Sequence, residues 1–420
     1  MSDYDNFTNI GSLLGALAEV LNLLNPGNSL YHEQVAYLSW VLAKEMGYDN
    51  DHIMLCLYTA MFHDVGDIVW ENDGSNPFQM TSKLSAIRGA RILQDLPGYK
   101  SISETILYCN DRWAIHSIES QEETNKKNYI EISAVVHLAI WISKQFDQQK
   151  PPLNQLNHIC TLADRWSGME FMPEAVEALV RVQKEEYVWF NAMLNPNALR
   201  KEIGIIRTVS LEETVRLTGL LSRIIDFRSP FTAMHSAGVA ASARKLAQLS
   251  GMTEEECMMM EIAGNLHDIG KLRVPKAILE KTGKLTEEEF NIIKEHAYYT
   301  SLIMQNIDGF EQIAAWAGNH HEKLNGNGYP FHYDESQLDK GSKILAVADI
   351  FSAITEERPY RKGMSKDQVL DIMSMNVENG NISNEIVQLL VEHYDEVNEV
   401  RNRMSKEIGK RYFDSIESTR

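Results

Sequence analysis

The chain has 420 residues, of which 44% are apolar and 24% charged, a globular composition for two or three domains that excludes a disordered or fibrous protein. Its 40 Lys and Arg against 59 Asp and Glu give a formal charge of −19. That field disfavours long nucleic acid and anionic lipid but still admits a small nucleotide held by local cations or metal ions.

Four scattered cysteines, Cys56, Cys109, Cys160 and Cys257, form no CxxC pair and read as reduced thiols. The start MSDYDNFTNI lacks a leader pattern, and no apolar run approaches the roughly eighteen residues of a membrane span. The expectation is a cytoplasmic protein with no membrane partner.

Helical periodicity dominates in chain order. Residues 33–46, 174–183, 239–250 and 384–399 place apolar side chains three and four apart, and strand-like alternation is nearly absent. Thr253 before three glutamates, and Thr286 with Glu289, mark helix starts. The Gly- and Asn-rich stretch 322–342 reads as an ordered loop. The fold class is all-α.

The chain also repeats itself. His32 precedes a helix and HDVG follows at 63–66; His235 precedes a similar helix and HDIG follows at 267–270, at offsets of 235 − 32 = 203 and 267 − 63 = 204. LPGY at 96–99 falls opposite IDGF at 307–310, and GMEFMPEAVEALV at 168–180 opposite GNISNEIVQLLV, both near 211. A nearly constant offset implies two tandem copies of one helical domain. Periodicity fades over 193–210 around Pro196, so the halves are taken as 1–195 and 196–420.

The second half carries His235, His267-Asp268, His296, His320-His321 and Asp349. Neutral imidazoles with carboxylates suit Mn, Fe or Zn. Adjacent helical residues diverge by about a hundred degrees, so a neighbouring pair can address two ions, and the two oxygens of Asp268 can bridge them. A lone histidine, such as His332 or His393, is more simply a core or surface residue. The doubled His320-His321 is hard to explain by packing.

The segments HSAGVA, HDIGKLRVPKAIL, KEHAYYT, HHEKLNGNGYP and VADIFSAITEERPYR resemble the HD-GYP family, a branch of the HD superfamily of metal phosphohydrolases, from about Ser229 to Glu399. The resemblance implies tandem HD-type helical bundles and hydrolysis of a cyclic dinucleotide, chiefly cyclic di-GMP, at a centre of iron or manganese. It implies one ion on His235, His267, Asp268 and Asp349, and a second on Asp268, His296, His320 and His321. Family members with a third ion carry a Glu four residues before the first His. Phe231 stands there, so a binuclear centre is expected. Lys271 is implied as a phosphate ligand or leaving-group helper; Tyr329, Arg358 and Arg361 are candidates for holding substrate. Cyclic GMP-AMP, a related phosphate ester, and a non-catalytic sensor are the other readings.

The first half keeps His32, His63 and Asp64, but Asp67 replaces the lysine. Ser85, Cys109-Asn110 and His137 fall opposite His296, His320-His321 and Asp349, and no GYP loop follows. His32, His63, Asp64 and His137 could still hold one ion. The preferred reading is a degenerate domain with a structural or regulatory role, through packing or homodimerisation.

Overall fold

Short polar side chains begin the helices where the sequence places them. Thr253 and Thr286 each close a capping box, with Glu256 and Glu289 as the reciprocal partners, and Ser365 with Gln368 forms a third. The computed structural model describes residues 7–22, 30–68, 83–94, 100–117, 124–195, 197–203, 208–226, 235–281, 283–356 and 363–417. Among these the architecture is all-α, and its sheet is one antiparallel pair, Thr8–Asn9 with Thr208–Val209. No helix among them is long and apolar enough to cross a membrane.

The chain divides into two compact units, Leu17–Arg207, and Met1–Ala16 with Thr208–Ser418. The division differs from 195/196 at both ends, for local reasons. Pro196 lies outside the described residues, but the helix Ala198–Ile203 continues the first unit and buries Ala198 and Leu199. The chain's start groups with the second unit. Thr8 pairs with Val209, its Oγ1 donates to the Asp308 carbonyl at 2.7 Å, and the Asp308 N–H donates to Ser12 Oγ at 3.2 Å.

In the second unit the helix His235–Leu249 packs against Glu254–Leu266, Lys340–Thr355 and Tyr394–Glu417. Val239, Leu246, Leu266 and Ile344 are buried there, each contributing about 1.5–3 kcal/mol. The helix Glu254–Leu266 stops at His267, and the chain tightens into a 3-10 helix, Ile269–Arg273. Thr300, on the helix Glu287–Gln305, joins this turn to the helix of His296. Its hydroxyl donates to the His267 carbonyl at 2.9 Å and accepts from Gly270 N–H at 3.1 Å. The approach is so close that a Cβ on Gly270 would collide with the His296 carbonyl.

In the first unit the helix Tyr31–Glu45 packs on Asn50–Phe62 and Thr124–Gln145, with His32 near a helix start and His63 at a helix end. The tight contact recurs: a Cβ on Gly66 would collide with the Ser85 carbonyl, and Ser85 is the residue opposite His296. The repeat therefore extends from sequence to backbone packing.

Gly270→Ala should destabilise the chain by about 1–3 kcal/mol, because helix 287–305 must move to admit the methyl group. Gly283→Ala, with nothing within 4 Å of its Cβ, should be near neutral. Thermal melts of the two variants check the contrast.

Candidate metal centre

Five separate segments supply the site. His235 opens its helix, His267 and Asp268 follow the end of another, and His296 sits within Glu287–Gln305. His320 and His321 come just after Glu311–Gly318, and Asp349 lies within Lys340–Thr355. His235, His267, Asp268, His296 and His320 are all buried. The donor atoms gather into two groups, His235/His267/Asp268 and His296/His320/His321, each within 4.8 Å.

Asp268 stands between the groups. Its Oδ2 lies 3.2 Å from His267 Nε2, while Oδ1 lies 3.4 Å from His296 Nε2 and 3.9 Å from His320 Nε2. Asp349 Oδ1 completes the first group, 3.1 Å from His235 Nε2 and 3.9 Å from His267 Nε2. His320 and His321 do not diverge, because they lie beyond the helix end. Their ring centroids are 4.0 Å apart and both sides face the same group.

The imidazoles are oriented by their far nitrogens. Nδ1 of His267, His296 and His320 lies 2.7, 2.5 and 2.6 Å from the carbonyls of Gly264, Ile293 and Ala317 respectively. A carbonyl can only accept, so each Nδ1 carries the proton and each Nε2 turns a lone pair toward Asp268. His267 Nε2 and Asp268 Oδ1 are buried without a hydrogen bond. Such orphaned atoms cost about 1–3 kcal/mol each, and a divalent cation would satisfy both.

Charge fits the same reading. Burial pushes His296 down to about 3 and His321 to about 4, and holds His320 well below its usual range, so these three are neutral ligands. Burial also acts to lower His235 and His267, but carboxylates outweigh it: Asp349 and Glu356 lift His235 to about 10 and Asp268 raises His267, so an ion held by these two would displace their protons. Burial would raise Asp268, yet His267 and Lys271 hold it ionised; against the same burial His235 and His267 hold Asp349 ionised. The residues present fit divalent ions.

Lys271 Nζ reaches Asp268 Oδ2 at 2.5 Å. Lys271 follows His267 by four residues, one turn of an α-helix, but the chain here is a 3-10 turn that brings Lys271 onto Asp268 at the partly exposed rim. The Tyr329 ring lies 4.8 Å from His321, and burial pushes its phenol above the usual range. Nothing local in the sequence marks Glu322, the last residue of HHE, as part of the site. This buried carboxylate accepts the N–H groups of Phe331, His332 and Tyr333 at 2.6, 3.1 and 3.1 Å and so fixes the GYP loop. Arg358, Arg361 and Phe231 lie outside the described residues.

In the first unit the corresponding atoms have protein partners. His32 Nε2 lies 3.1 Å from both Asp64 oxygens, its Nδ1 is 2.9 Å from Asn22 Oδ1, and His63 Nε2 is 3.0 Å from the Tyr31 hydroxyl. His137 Nδ1 donates to the Cys109 carbonyl at 2.7 Å. Among the described residues no three donors converge there.

A family model described as HD domain matches residues 219–385. The 3'3'-cGAMP-specific phosphodiesterase 3 of Vibrio cholerae is 30% identical over 314 residues, 73% of this chain and 66% of that protein. The chain belongs to the HD-GYP family. Another relative, the 3'3'-cGAMP-specific phosphodiesterase 1 of V. cholerae, is 26% identical over 400 residues, 91% of each chain. The cyclic di-GMP phosphodiesterase response regulator RpfG of Xanthomonas campestris is 36% identical over 163 residues, 38% of this chain and 43% of that one. In fold, the chain is similar to a crystal structure of a cyclic GMP-AMP specific phosphodiesterase of V. cholerae. The TM-score is 0.59 at 20% identity, covering 93% of this HD-GYP chain and 98% of the other.

His63 gives the first unit an acid weakness. Burial holds its folded pKa down to about 4, so between pH 4 and the unfolded value of 6.5 the unfolded state binds more protons. Stability present at neutral pH should therefore fall as pH drops through that window, by on the order of 3 kcal/mol. His63→Gln should flatten that part of the profile of unfolding midpoint against pH.

Proposed function

We propose that the chain is a metal-dependent phosphodiesterase that opens a cyclic dinucleotide to a linear one. The observation that carries this reading is the pair of buried donor groups joined by Asp268, with His267 Nε2 and Asp268 Oδ1 unsatisfied. We assign His235, His267, Asp268 and Asp349 to one divalent ion and Asp268, His296, His320 and His321 to a second, with iron or manganese as the metal. Such ions supply Lewis acidity toward both the attacking water and the phosphoryl oxygens.

The chain's own residues do the rest. A phosphodiester is an anion approaching an acidic protein, and Lys271 places a positive charge at the rim to meet it. Tyr329 borders a cavity of 490 Å³ that also presents Lys294, Lys323, Phe290 and Tyr298. Cations interleaved with aromatic rings suit the remaining nucleotide of a dinucleotide: the lysines meet its phosphate and the rings stack on its base. Arg358 and Arg361 are proposed as further substrate contacts. The first unit is proposed as a structural or regulatory domain, with homodimerisation as one such role.

Between bases, one observation favours a second reading beside cyclic di-GMP. Two relatives named for 3'3'-cGAMP align over 400 and 314 residues and so across both halves, whereas RpfG aligns over 163. Hydrolysis of a panel containing cyclic di-GMP, 3'3'-cGAMP and linear dinucleotides tests both readings. Failure to turn over any of them would leave the chain a sensor.

Asp268→Ala should abolish hydrolysis, and the purified chain should hold close to two transition-metal ions, all lost from the second unit on chelation. Full turnover by metal-free protein would exclude the mechanism. Lys271→Ala should lower kcat, whereas Arg358→Ala and Arg361→Ala should chiefly raise KM. His63→Ala with Asp64→Ala should leave hydrolysis nearly intact; a loss as complete as that of Asp268→Ala would reveal a working site in the first unit.

A further inference from the structure

His235 is oriented differently from three of the other ligand histidines. Nδ1 of His267, His296 and His320 is held by a carbonyl three residues back, which the preceding helical turn supplies. His235 is the first described residue of its helix. Its Nδ1 is buried and makes no hydrogen bond. A carboxylate stands nearest: Glu356 Oε2, 3.6 Å away, on a residue only 4% exposed.

Glu356 comes from the C-terminal cap of Lys340–Thr355, the helix that carries Asp349. Seven residues is close to two helical turns, so both side chains leave one stripe of that helix. They face the imidazole at opposite nitrogens, Asp349 at 3.1 Å from Nε2 and Glu356 at 3.6 Å from Nδ1. The degenerate half offers a contrast. The register that sets His137 opposite Asp349 (349 − 137 = 212) sets Lys144 opposite Glu356 (356 − 144 = 212). There the first histidine, His32, turns its Nδ1 to the neutral amide of Asn22 instead. Where the centre is dismantled, the buried acid has been exchanged for a cation.

We propose that Glu356 is a positioning residue for His235, fixing its tautomer and strengthening its Nε2 as an ion ligand. It does the work that backbone carbonyls do for His267, His296 and His320. The proposal rests on the reading that these residues hold divalent ions, and it concerns only the His235 side of the centre.

The test uses the full-length holoenzyme, with metal content followed during competition with a chelator and unfolding midpoints measured on metal-stripped protein. In Glu356→Gln one ion should leave at roughly 10- to 100-fold lower chelator, the other ion should stay as in the parent, and the metal-free midpoint should be unchanged. Glu356→Asp, which keeps the charge but is shorter, should fall between. Retention of both ions as in the parent overturns the proposal. So does equal weakening of both ions with a lowered metal-free midpoint, the result of a merely structural role. Should Glu356→Gln not fold, Glu356→Asp decides by the same criterion: selective weakening supports the proposal, and uniform or no weakening overturns it. A parent chain that binds no divalent ion would overturn the functional reading as well, so the two failures are distinguishable.

Discussion

A buried carboxylate in a ring of imidazoles is costly unless something compensates its charge, and Asp268 is in that position. It is 4% exposed, faces His267 and Lys271 with one oxygen and His296 and His320 with the other, and stays ionised against its burial. Much of the second unit is arranged to make that tolerable. The helix of His267 ends one residue before Asp268, the 3-10 turn swings Lys271 onto it, and Thr300 joins that turn to the helix of His296. Gly270 permits the approach because no side chain fits between the turn and the His296 carbonyl.

Around this carboxylate the histidines are preorganised by ordinary backbone chemistry. A helical turn leaves carbonyls near its end without intrahelical partners, and a histidine three residues on can donate to one of them. His267 and His320, at or just past helix ends, follow that rule, and His296 uses the same carbonyl three residues back within its helix. The arrangement holds each ring with its lone pair inward, so little reorganisation remains when a cation enters. The GYP loop is held in a related way, with Glu322 gathering three consecutive N–H groups.

The first unit shows what the same scaffold does with fewer ligands. His32 and Asp64 pair with each other, and Tyr31 supplies a hydroxyl to His63. His32, His63 and Asp64 find these partners within the protein, and the backbone frame of Gly66 against Ser85 matches that of Gly270 against His296. Metal-binding geometry and fold are separable here because the helix packing rests on apolar faces and glycine contacts, not on the ligands.

Sequence alone determined the all-α class, the tandem repeat, the capping boxes at Thr253 and Thr286, and the set of second-half residues that converge. These are local signals: helix periodicity, short capping motifs, and residue types with few uses other than ligation. Sequence did not place Glu322 or Glu356 in the site, nor set Lys271 on Asp268, nor attach the chain's start to the second unit through Thr8 and Val209. Glutamates are abundant in this acidic chain, and nothing within a few residues tells a buried carboxylate from a solvated one. Only the tertiary structure decides that, because burial and partnership are properties of helices brought together from distant parts of the chain.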